Sequence, residues 1–320
     1  MPDLLHINDC KISAVTGTWH LLQSQKIKTK KMVKNSGGTT GKDAGRRTWK
    51  RFPLLVVMLL MLALQTVYSQ GKSSVKWNKV NVLVYTKNGK GYVHTNIPMA
   101  VAAIQEMGKQ KGFSVDVSDT PTVFTDANLR KYDALIFTST NNDVFDTDEQ
   151  KVAFMRYVQA GGGFVGIHSV TGTERKWEWF KRLVGGTFVR HAKHQKFKQV
   201  VLDKSHPATA QLPANWEVND ECYYVTTINP DLRVVLAHDL TSVNDPEKPL
   251  WFGNSYPSAW YHEWDGGKQF YTALGHDGTM YNDPVFRQHI LGGLQWVLAG
   301  NRKLDYSKAR AVSPNDPLPY

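Results

Sequence analysis

Two rhythms divide the chain near Trp177. Before it, short apolar runs alternate with amphipathic stretches. Val80-Asn81-Val82-Leu83-Val84-Tyr85 is β-branched and continuous enough to read as a buried strand. After the glycine-rich loop Asn88-Gly89-Lys90-Gly91, a helix is expected from near Asn96, with Pro98 in its first turn. Ile97, Val101, Ile104 and Met107 fall at helical spacing, and Gly112 ends it. Phe113–Val117 and Ala134–Phe137 read as the second and third strands. Thr147 with Gln150 forms a capping box for a helix running through Tyr157, and Gly163–His168 reads as the fourth strand. This order predicts an α/β fold with a parallel, doubly wound sheet and helices on both faces.

After Trp177 the long helices stop. A short helix carries Trp179, Phe180 and Leu183. Strands are then expected at Phe197–Leu202, Tyr223–Ile228, Val234–Ala237, Ala259–Trp264 and Gln269–Leu274, with Asp265-Gly266-Gly267 as a hairpin turn. Asp283-Pro284 opens a last helix presenting Phe286, Ile290, Leu294 and Val297 on one face. The sheet should therefore continue into an antiparallel extension. The expected division is a leader over residues 1–69, one domain over 76–300, and a polar, loosely ordered tail over 301–320.

Charge and the leader set the compartment. The chain has a formal net charge of +11, but residues 1–69 hold 11 Lys and Arg against 3 Asp and Glu, and the remainder 28 against 25. A domain so nearly neutral has no footprint for a polyanion, which argues against nucleic acid as a partner. Phe52–Leu64 is an apolar run of 13 residues preceded by Arg46, Arg47, Lys50 and Arg51 and followed by the small residue Ser69. That pattern is expected of a secretory signal cleaved near Ser69, giving a periplasmic or secreted protein that would touch a membrane only if the signal stayed uncleaved. Beyond the leader only Cys222 remains, so no internal disulfide is available.

Polar residues gather where strands end, which is where open α/β sheets bind ligands. His94 follows the first strand, His168 closes the fourth, Asp220-Glu221 precedes an antiparallel strand, and His276-Asp277 follows the last; His262 lies inside a strand. Two chemistries suit this set. His94, His168, His276 and Glu221 are the donor types of a divalent metal site, Zn²⁺ first among them. Alternatively His168 or His276 acts as general acid or base, oriented by Asp220, Glu221 or Asp277. Gly163–Ser169 invites comparison with a nucleophile elbow, yet His168 stands where the nucleophile would be. His191-Ala192-Lys193-His194 sits among lysines and reads as a solvated basic stretch. The tryptophans and tyrosines read as core; any in the cleft would suit stacking on sugar rings.

Several of these segments, in order, resemble the ThuA-like (trehalose-utilisation) family: Gly91-Tyr92-Val93-His94, Gly161–His168, Ser205–Thr209, Asn219-Asp220-Glu221-Cys222-Tyr223, Trp260-Tyr261-His262, Tyr271–His276 and Asp283–Arg287. The resemblance spans about Lys79 to Gly300. It implies a flavodoxin-like fold related to the class I glutamine amidotransferases, lacking their nucleophilic cysteine, and a carbohydrate context that extends to oxidised, 3-keto sugars. On it, His94, His168, Glu221 and His276 are expected as the catalytic residues; Asp220, His262 and Asp277, from their places in and beside the strands, are expected to bind substrate. A non-catalytic glycan-binding module is the alternative.

Overall fold

A computed structural model describes residues 75–300 and 303–319. The expected leader and its cleavage point lie outside the described residues, among which no helix is long and apolar enough to cross a membrane. The first strand, β1 (Asn81–Tyr85), pairs in parallel with β2 (Ser114–Ser118) and β3 (Ala134–Thr138), and β3 with β4 (Gly163–Ile167). Val82, Leu83, Val84 and Tyr85 are all buried, as a strand covered on both faces requires. Helices α1 (Ile97–Lys111), α2 (Asp126–Leu129) and α3 (Asp148–Gln159) fill the crossovers. The Thr147–Gln150 capping box forms, and Gly112 closes α1 at φ 90°. A short α4 (Glu178–Val184) follows.

The second half adds β5 (Thr187–His191), β6 (Gln195–Val201), β7 (Trp216–Asp220), β8 (Tyr223–Thr226), β9 (Arg233–Asp239), β10 (Ser255–Trp264) and β11 (Gly267–Thr272). The large sheet has nine strands in the order β2-β1-β3-β4-β11-β10-β9-β6-β7, and β5 and β8 form a separate pair. The antiparallel extension is thus present, with one change: β11 is antiparallel to β10 but parallel to β4. It therefore extends the parallel half to five strands and points its carboxyl end the same way as β4. Asp265 and Gly266, at φ 45° and 93°, make the hairpin turn that forces this reversal. Phe164 of β4 meets Phe154 of α3 and Phe180 of α4, whereas a Cβ on its neighbour Gly163 would lie 3.1 Å from Val297 of α5 (Pro284–Val297). Successive residues of the strand thus serve the two helical layers.

The tail departs from expectation. It is packed down, because buried polar side chains of the domain depend on it. Gln159 Oε1 accepts from the amides of Arg310 (2.7 Å) and Ala311 (2.9 Å), Trp177 Nε1 donates to Pro314 O (2.8 Å), and Arg310 pairs with the buried Asp265. Asp265 Oδ2 also accepts from Gln159 Nε2 and Trp179 Nε1, each at 2.9 Å.

Candidate functional site

Three strand ends deliver the histidines. β4 ends at Ile167, and His168 follows at φ 61°, a left-handed conformation that a non-glycine residue holds at some cost. The sharp turn of an elbow is therefore present, with an imidazole in place of a nucleophile. Tyr271 Oη donates to His168 O at 2.7 Å and pins the turn. His94 arrives from the loop after β1 and His276 from the loop after β11. The ring centres lie 4.7 Å apart for His94 and His168, 5.2 Å for His168 and His276, and 5.5 Å for His94 and His276.

Glu221, between β7 and β8, completes the cluster. Its Oε2 is 3.1 Å from His276 Nδ1 and its Oε1 3.3 Å from His191 Nδ1. His191 and Tyr223 belong to the site although neither was expected there. His191 Nδ1 also lies 2.8 Å from Ala192 O, so it carries the proton and leaves Nε2 as the nitrogen with a free lone pair. Tyr223 Oη is 2.9 Å from His168 Nε2. The basic stretch is thus half functional in placement: β5 turns His191 toward the cluster, while His194 Nε2 meets Asp277 Oδ2 at 3.2 Å.

The remaining expected residues part company with the cluster. Asp220 is fully buried and its carboxylate accepts from the amides of Gly275 (2.6 Å), Glu221 (2.9 Å), His276 (2.9 Å) and Asp277 (3.2 Å). It shapes the loop that carries His276 rather than facing a substrate. Asp277 caps the following turn through Thr279 and holds His194. His262 is a correction. It pairs with Gln269, which pairs with Phe164, four residues short of His168 and so about 13 Å down the strand. Its Nε2 is 2.8 Å from Leu183 O and its Nδ1 3.3 Å from Asp231, the environment of a structural histidine.

Burial sets the protonation states. It lowers His94 to about 4 and holds His168 well below, and His276 below, the usual imidazole value, the neighbouring histidines adding to the effect. The three rings are therefore neutral near pH 7. Burial pushes Glu221 up to about 7, and pushes Asp220 up to about 7 against the pull of its amide hydrogen bonds. It also pushes the Cys222 thiol up to about 12, which leaves that residue no thiolate to attack with.

Neutral imidazoles held this way fit a divalent cation. One nitrogen from each of His94, His168 and His276 lies within 4.8 Å of the others. His168 Nδ1 donates to Ala273 O at 3.0 Å, which aims Nε2 toward the other two rings. With bonds of about 2.1 Å, neighbouring donors in a tetrahedral or octahedral shell sit about 3.0–3.4 Å apart. His168 Nε2 to His276 Nδ1 is 3.3 Å, and His276 Nδ1 to Glu221 Oε2 is 3.1 Å. The cluster opens into a cavity of about 470 Å³ walled by Tyr92, Phe188 and Tyr223 on the aromatic side and by Asn141, Ser169 and Arg175 on the polar side.

The profile of the ThuA family, described as trehalose utilisation, matches residues 81–297. Among solved structures, a ThuA-like protein from Bacteroides uniformis ATCC 8492 is 21% identical with a TM-score of 0.57, over 74% of this chain and 95% of that one. A ThuA-like protein from Parabacteroides merdae ATCC 43184 is 18% identical with a TM-score of 0.57, over 68% and 89%. Among curated proteins none matches the chain.

Proposed function

Because the chain belongs to the ThuA family of trehalose utilisation, we propose that it is an exported enzyme of carbohydrate metabolism turning over a sugar or keto-sugar derivative at the histidine–glutamate centre. The observation that carries this reading is the convergence of three neutral imidazoles and Glu221 in a cavity of about 470 Å³, within the usual range for a small-molecule site. A divalent cation, Zn²⁺ by donor type, would be held by His94, His168 and His276 and would polarise a sugar oxygen as a Lewis acid. Glu221 Oε1 orients His191 through Nδ1, and its Oε2, 3.1 Å from His276 Nδ1, would join the same cation as a fourth ligand. His191 keeps Nε2 free to take a proton, and a carbon next to a sugar carbonyl is acidic enough to give one. Tyr92 and Phe188 offer faces for the C–H surface of a pyranose.

Binding without turnover is the second reading, favoured by Tyr92, which is 59% exposed beside the cavity and free to stack on a glycan. One set of measurements separates the two: metal content with and without chelator, and turnover of trehalose and 3-keto disaccharides. The enzyme reading expects stoichiometric metal, and turnover that falls at least 100-fold in His168→Ala while the domain stays folded. Undiminished turnover in that variant would refute it, and sugar binding without any turnover would favour the second reading. Export is tested separately by N-terminal sequencing of protein recovered outside the cytoplasm; a retained Phe52–Leu64 segment would sink cleavage near Ser69.

A further inference from the structure

Among the described residues Arg175 is the one lysine or arginine lining the cavity; its side chain is exposed to solvent, while the residues around it hold its backbone in place. The preceding residue, Glu174, sits at φ 48° with its side chain 2% exposed. Its Oε1 accepts from the amides of Val144 (2.8 Å) and Phe145 (3.2 Å), and its Oε2 meets Lys151 Nζ at 3.0 Å. The charge of Glu174 is therefore already matched, and Arg175 has no carboxylate partner among the described residues. Arg175 Nε donates to Gly172 O at 3.0 Å, and the guanidinium lies 5.6 Å from the centre of the Phe188 ring. Both contacts orient the fork and leave the terminal Nη1 and Nη2 groups without a hydrogen-bond acceptor among the described residues.

Gly172 makes room for this arrangement. A Cβ there would lie 2.7 Å from Asn141 Oδ1 and 3.0 Å from Arg175 Nη2, so any larger residue would displace one of the two side chains. We propose that Arg175 forms a carboxylate subsite, and that the substrate of this centre is a sugar acid. The inference rests on reading the cavity as a sugar site and adds the charge of the sugar. A planar guanidinium with two open N–H edges matches the two oxygens of a carboxylate. Among the described residues no second lysine or arginine lines the cavity, whereas a phosphate dianion is usually met by several donors or a helix N-terminus. A cavity of this volume is about 10 Å across, which puts a carboxylate on Arg175 and the far end of a monosaccharide beside the histidines.

The test is isothermal titration of the full chain with matched pairs: D-glucose against D-glucuronate, D-galactose against D-galacturonate, and glucose 6-phosphate as the phosphate arm. In the wild type, at least one acid should bind roughly ten- to hundredfold tighter than its neutral partner. Arg175→Gln should reduce that preference to within about twofold, and Arg175→Lys, which keeps the charge without the fork, should retain only part of it. Thermal melting confirms that each variant is folded. Equal binding of acid and neutral sugar, or a preference that survives Arg175→Gln, overturns the carboxylate subsite while leaving the sugar reading intact. Tighter binding of glucose 6-phosphate than of glucuronate overturns it in favour of a phosphoryl group. If no member of any pair binds, the subsite falls, and turnover of trehalose and 3-keto disaccharides decides the sugar reading separately.

Discussion

His168 shows how far one residue can be read from sequence. Its place at the end of an apolar run marks it as a strand-end residue, which the structure shows; the sharp turn at φ 61° is not legible, because the flanking glycine of an elbow is absent from the sequence. Its partners are less legible. Tyr223 looks like one more core aromatic until β8 sets its hydroxyl 2.9 Å from His168 Nε2, and His191 looks like part of a solvated run until β5 delivers it to Glu221. Contacts across 30 and 55 positions of chain are fixed by strand pairing, which no local pattern states. Two substitutions test the roles assigned at this scale. Asp220→Asn can keep the three amides on Oδ1 but sets an NH₂ against the Gly275 amide, so stability should fall by about 1–3 kcal/mol in urea unfolding. Cys222→Ser should leave turnover within tenfold of wild type, and alkylating reagents should spare activity in both proteins. Selective inactivation of the wild type would contradict that.

At the scale of elements, what the sequence announced was whatever obeyed a period. The strands β1, β3 and β4 are continuous apolar runs, and α3 and α5 carry their caps in plain view at Thr147 and Asp283. The strand β7 also obeys a period of two: Trp216, Val218 and Asp220 are buried, Glu217 and Asn219 exposed. It escapes notice because a carboxylate occupies the third inward position, where the buried amides of residues 275–277 replace an apolar neighbour. The tail escapes for the opposite reason. It is polar because its contacts are hydrogen bonds to Gln159, Asp265 and Trp177, and polarity alone looks like disorder. Arg310 is largely exposed, so Arg310→Ala should cost only about 1 kcal/mol. Removing residues 304–320 strips Gln159 and Trp177 of partners as well and should cost at least about 2 kcal/mol more in the same denaturant series. Equal midpoints for the two variants would show the tail to be idle.

For the molecule as a whole, buried histidines away from the site make acid the weak side. Burial lowers His238 to about 3, and lowers His206 and His289 to about 4, burial being the leading cause at each. In the unfolded chain these rings titrate near 6.5, so between that pH and about 4 the unfolded state binds more protons than the folded one. The histidine contribution to stability should therefore be complete above pH 6.5 and decline as pH falls below it, by about 1.4 kcal/mol per unit for each fully buried ring, a larger effect than the opposing one of the two raised carboxyls Asp220 and Glu221. Melting temperatures between pH 7.5 and 4.5 check this, and His289→Gln should flatten the slope. A profile level down to pH 5 would count against the assignment.

The place of β11 in the sheet has a consequence in time. It is the neighbour of β4, yet about a hundred residues separate the two along the chain. A growing polypeptide can pair β1 through β4 early, but the row stays open at its middle until residue 272 is available. Loop closure over that span is slow and costs entropy before any contact repays it. His168 and His276 flank this seam, so no partial product of synthesis owns the centre. Synthesis has to pass residue 276 before the three rings can meet.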